Sequence, residues 1–116
     1  MGSFSLHNLI GGEHMPDDRY LINIIIEYLE NVPEPTPSWP RRDFAKASYT
    51  RWAIEEIIRE ITKHTNWSVM RCVEDFKYRV GKYALKSVKH DEVSEIFRVA
   101  YDAACDVSDI LYAMMP

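Results

Sequence analysis

The sequence predicts an all-α protein, a four-helix bundle with a proline-rich connection after its first helix. Three observations predict it. Four segments carry apolar residues at helical spacing, and none shows the alternation of a half-buried strand. Four of the six prolines fall between positions 32 and 40, which sets the first segment apart from the rest. Hydrophobic residues fill 47% and charged residues 28% of the 116 positions, enough for one core beneath a solvated surface.

The first helix is expected over Pro16–Asn31. Pro16 suits the first helical position, and Asp17 and Asp18 favour the positive end of the helix dipole. Leu21, Ile22, Ile24, Ile25, Ile26, Tyr28 and Leu29 leave it apolar on nearly every side. Such a helix is either central to the bundle or shared with a second subunit. Residues 1–15 read as an N-terminal arm that packs Phe4, Leu6, Leu9 and Ile10 onto the body. Alternatively they are a cloning remnant, because Met-Gly-Ser and His-Met resemble vector scars. Residues 16–116 are expected to form a single helical domain. The N-terminus lacks a basic stretch followed by an apolar one, so no secretory signal is expected.

Val32 to Pro40 cannot be helical and reads as a stiff linker, with Trp39 tucked onto the body. Pro37-Ser38-Trp39-Pro40-Arg41-Arg42 also matches the PxxPxR pattern that SH3-type grooves accept. The second helix is expected from an Asp43 cap to about His64. Ala45, Tyr49, Ala53, Ile54, Ile57, Ile58 and Ile61 form its apolar face, and Trp52 extends it to one flank. Arg51, Glu55, Arg59 and Lys63 read as a solvated ladder of opposite charges. Asn66 or Ser68 caps the third helix, whose stripe is Val69, Cys72, Val73, Phe76, Val80, Tyr83 and Ala84. Gly81 inside it costs about 1 kcal/mol against alanine, which a close helix contact would explain. Asp91 is expected to cap the fourth helix, which reaches about Met115 on Val93, Ile96, Phe97, Ala100, Ala104, Val107, Leu111 and Met114. A short joint makes the third and fourth helices an antiparallel pair.

Charge is uneven along the chain. The total is −4, residues 71–90 are basic and residues 91–116 are acidic. The preferred reading is that the basic face of the third helix lies beside the acidic face of the fourth. Cys72 and Cys105 sit in helical patterns without a CxxC, as small buried residues of a reducing compartment. There is no Gly-x-Ser-x-Gly elbow, no HExxH pair and no glycine-rich phosphate loop. The apolar run Leu21–Ile26, broken by Asn23, is too short for a membrane span.

The acidic residues are the one constellation with chemical pull. Asp102, Asp106 and Asp109 share a helix face despite mutual repulsion. Glu55, Glu56 and Glu60 lie on the second helix, and such carboxylates hold hard cations such as Mg²⁺. Glu27-Tyr28-Leu29-Glu30 is an ExxE and Asp106-Val107-Ser108-Asp109 is a DxxD. Together they resemble the all-α nucleoside triphosphate pyrophosphohydrolases of the MazG type, which pair an ExxE helix with a later ExxD helix. That resemblance implies Mg²⁺ held by Glu56, Glu60, Asp106 and Asp109. The DxxD departs from the family pattern, and the gap between the two motifs is longer. A DNA-binding regulator would use Arg79, Lys82 and Lys86 with Tyr78 or Tyr83 interleaved. The acidic total speaks against nucleic acid as the main partner. Over residues 44–115, Ser48–Ile57 and Ile96–Asp106 resemble small uncharacterised all-helical proteins of bacterial phage and mobile elements. That resemblance implies a cytoplasmic accessory protein.

The expectation is therefore a cytoplasmic helical protein that acts through protein–protein interaction, without catalysis or cofactor. Its partner is a protein, first of all a second copy of the chain. Trp39, Tyr49 and Trp52 are the expected contact residues, since aromatics concentrate at interface hot spots. Mg²⁺ enters only under the pyrophosphohydrolase alternative.

Overall fold

Four helices make up the computed structural model, which describes residues 16–86 and 92–115: α1 (Pro16–Asn31), α2 (Arg41–Lys63), α3 (Val69–Lys86) and α4 (Glu92–Met114). They form the expected bundle, with no strand among the described residues. The expected arm over residues 1–15 and the Asp91 cap lie outside the described residues. No helix there is long and apolar enough to cross a membrane.

The core is one cluster to which every helix contributes. Ile22, Ile25, Ile54, Ile57, Ile58 and Ile61 are its largest fully buried side chains, closed from the other side by Val69, Val73, Val107 and Leu111. α1 touches all three other helices but is the least embedded of the four. Leu21, Ile22, Ile25 and Leu29 are buried, while Ile24, Ile26 and Tyr28 pack against the cluster from its rim. Much of the apolar surplus that pointed to a second subunit is thus absorbed within one chain. The ends of two predicted stripes are not core. Tyr83, Val93 and Met114 are exposed.

α3 and α4 make the most extensive helix pair. Gly81 permits it: a Cβ there would stand 2.7 Å from Cε1 of Tyr101, so the tyrosine ring lies where a larger residue would project. A polar tie across this pair is Ser108, almost wholly buried, whose hydroxyl donates to Glu74 Oε2 at 3.0 Å. The ion pairs of Arg79 run instead to Asp75 and, on α2, to Glu60. The expected charge pairing of α3 with α4 is not how Arg79 is used.

The caps differ from expectation at α2. That helix begins at Arg41 after Pro40, and Asp43 lies in its first turn rather than capping it. Pro40 holds the N-cap position, and no side chain caps the first turn. At α3 the expected cap is present, with Arg71 N–H donating to Ser68 Oγ at 3.1 Å.

Candidate functional site

The apolar face of α2 reads Ile61, Ile57 and Ile54 in steps of four and three, and the same row continues through Thr50, Ala47 and Asp43. Large aliphatic residues thus give way to small and polar ones toward the start of α2. On α4, a row beside the core reads Glu95, Val99, Asp102 and Asp106. These two rows face each other across a cleft of about 930 Å³, which the helices do not close.

The cleft has two charged walls and a neutral floor. Arg42, Asp43, Lys46 and Thr50 line one side, and Glu95, Asp102 and Asp106 line the other. Ala47, Val99 and Ala103 lie between them, where larger side chains would fill the gap. Tyr28, Asn31, Val32 and Pro33 close one end, and Trp39, half-buried, stands beside Arg42.

This end wall is held by a contact that the sequence reading missed. α1 has no basic residue in its last turn to meet its terminal carbonyls. Arg51 of α2 does so instead, donating to the Val32 carbonyl at 2.8 Å and the Leu29 carbonyl at 3.4 Å. It is therefore no member of a solvated ladder. It pins the exit of α1 and with it the start of the proline linker. A turn follows, with Trp39 N–H donating to the Thr36 carbonyl at 3.1 Å and the Thr36 and Ser38 hydroxyls 3.0 Å apart. Arg41 and Arg42 are already helical, so the PxxPxR segment is not the extended left-handed helix that SH3-type grooves take.

Tyr28 links the end wall to the acidic wall. Its hydroxyl donates to Asp106 Oδ2 at 3.3 Å. Burial, and then the Asp106 carboxylate, push the tyrosine hydroxyl above its ordinary pKa of 10.0. At neutral pH it is a hydrogen-bond donor and not a base.

The predicted contact residues separate. Trp39 lines the cleft. Trp52 turns toward α3, its ring 6.3 Å from that of Phe76. Tyr49 is half-buried and is not among the residues lining the cleft. The acidic set is also split. Glu56 pairs with Arg59. Glu60 is held by Arg79 at 2.9 Å and lies 3.0 Å from His64. It stands ten residues beyond Thr50 on α2, about 15 Å along the axis and away from the cleft that Asp106 lines. Asp109 is exposed on α4. Among the described residues, no three His, Cys, Asp or Glu side chains converge as a metal site. Of the basic set, Arg79 is engaged by Glu60 and Asp75, while Lys82 lines a shallow hollow of about 440 Å³ over Gly81. The side chain of Lys86 lies outside the described residues.

The signal for the cleft was present in the sequence as polar residues standing in the register of the α2 core row. Comparison of the chain with family models, curated proteins and solved structures finds no match.

Proposed function

We propose that the chain is a small cytoplasmic accessory protein that acts by holding a protein partner in the cleft beside Trp39, without chemistry of its own. One observation carries this reading: the cleft lies where the core row of α2 turns small and polar, and Trp39 stands at its edge. A pocket built only for packing would have continued the isoleucine row. A partially exposed tryptophan and an arginine in one cleft, Trp39 and Arg42, are residue types enriched at contact surfaces.

A photo-reactive residue placed at Lys46, with a control at Tyr78 on α3, tests it in the native cells. The expected result is one discrete adduct from position 46, absent from position 78 and lost in Trp39→Ala. No adduct from position 46, or the same adducts from both positions, overturns the reading. A second copy as the first partner is checked by sedimentation equilibrium: a dimer at micromolar concentration supports it and a monomer overturns it. A thermal midpoint that rises with Mg²⁺ and a nucleoside triphosphate mixture would instead favour the phosphohydrolase reading.

A further inference from the structure

The charge and spacing of the cleft walls narrow the chemistry of what they hold. Resting on the cleft as the contact site, we propose that its occupant is an extended peptide segment with basic side chains at alternate positions. Arg42 and Lys46 bring two positive charges, and Asp43, Glu95, Asp102 and Asp106 outnumber them, so the cleft is net negative. The acidic residues are not scattered: three of the four stand in one row along α4.

Spacing converts that row into a register. Asp102 and Asp106 are separated by four residues, about 6 Å along the helix axis. Alternate side chains of an extended chain project to one side about 7 Å apart. Two basic residues at i and i+2 of a segment lying along α4 therefore meet the two carboxylates together. Glu95, earlier in the same row, extends the favourable field. The residue between the two basic ones faces the opposite side of the segment.

The remaining lining suits the rest of such a segment. Arg42 and Lys46 across the cleft are donors for its backbone carbonyls, and Asn31 at the end wall can both donate and accept. Trp39 offers an aromatic face to a guanidinium group. The molecule already makes that contact elsewhere, with Arg71 Cζ 4.1 Å from the centroid of the Trp67 ring. At the alternate positions arginine fits better than lysine because its planar fork can pair bidentately with each α4 carboxylate.

The probe is the capped peptide Arg-Ala-Arg-Ala-Arg, with Glu-Ala-Glu-Ala-Glu as its charge-reversed control. The readout is the indole N–H signals of the three tryptophans in two-dimensional NMR. The arginine peptide is expected to shift the Trp39 signal and leave those of Trp52 and Trp67 in place. Its affinity should fall at least tenfold in Asp102→Asn/Asp106→Asn and stay unchanged in Lys82→Ala. An equal response from the glutamate peptide, an undiminished response in the double variant, or no shift with the arginine peptide overturns the proposal. The cross-linking at position 46 stands apart from these outcomes. An adduct there together with a silent arginine peptide removes the basic-segment chemistry alone, whereas no adduct removes the contact site itself.

Discussion

The two ends of α2 show what filling a helix row does and what leaving it unfilled permits. At the C-terminal end, Ile57, Ile58 and Ile61 are buried, and the α2–α3 corner is sealed by polar contacts. The His64 and Trp67 rings stack 4.0 Å apart at 10°, Arg71 covers the other face of Trp67, and Glu60 joins His64 to Arg79. At the N-terminal end, Thr50, Ala47 and Asp43 occupy the same row and border open space. One helix thus has a structural half and a half whose polar groups are left for something else.

The largest test of that contrast compares two substitutions in one row. Ile61→Ala removes fully buried methyl groups and should cost about 2–5 kcal/mol. Thr50→Ala, three turns earlier, should stay within about 0.5 kcal/mol. Denaturant unfolding measures both. Similar losses at the two positions would show that the cleft end is core after all.

A second test uses pH. Burial, followed by the nearby charges of Glu60 and Asp75, raises the Cys72 thiol from 9.0 to about 11. The unfolded chain therefore releases this proton first. The thiol's contribution is fully present below pH 9 and is lost as pH rises through 9 to 11, an effect on the order of 2 kcal/mol. All other groups are common to both proteins, so the comparison is of slopes. The thermal midpoint of Cys72→Ala should fall less steeply over this range than that of the parent. Equal slopes would place Cys72 in contact with water and open the sealed corner.

Arg51 stands between the two halves. Arg51→Met keeps much of its length but removes donors from the Leu29 and Val32 carbonyls, and should cost about 1–2 kcal/mol. The end wall of the cleft depends on the same contact, so cross-linking from position 46 should weaken in parallel. Unchanged stability would mean that water serves these carbonyls equally well.

How far the sequence revealed these features depends on whether the signal was local. Helix positions and most of the core were legible because apolar periodicity is a property of each segment alone. Gly81 was legible as an oddity, and Tyr101 supplies its reason. Trp39 was identified, while Trp52 was grouped with it although it faces Phe76. Arg51 was misread because its partners are carbonyls 19 and 22 residues away, and a carbonyl leaves no mark in a sequence. The carboxylates of α2 and α4 were joined on type and spacing. Spacing within a helix cannot tell which level of one helix meets which level of another, and Glu60 and Asp106 lie at different levels.

Gly81 sharpens the account of the α3–α4 pair. Gly81→Ala gains about 1 kcal/mol of helix propensity but drives a methyl group into the Tyr101 ring, and should lower stability by about 1 kcal/mol net. With Tyr101→Ala already in place, the same change should become stabilising. A double-mutant cycle reads this reversal of sign. If Gly81→Ala stabilises both proteins, the ring moves aside freely and the close approach does not constrain the pair.

The smallest effect bears most directly on the open half. Asp102 sits four residues before Asp106 and Asp109 three after it, so the row repels itself along one helix face. Asp102→Asn keeps shape, leaves helix propensity nearly unchanged and removes one repelling charge. It should raise stability by a few tenths of a kcal/mol at low salt, and the gain should vanish in concentrated salt as screening shortens. A carboxylate with a structural duty behaves otherwise: its loss would lower stability at every ionic strength. A fall of more than about 1 kcal/mol would mean that Asp102 holds the fold together. The acidic wall would then belong to the sealed half of the molecule. A small salt-dependent gain is what a charged row retained against the fold's own stability should show.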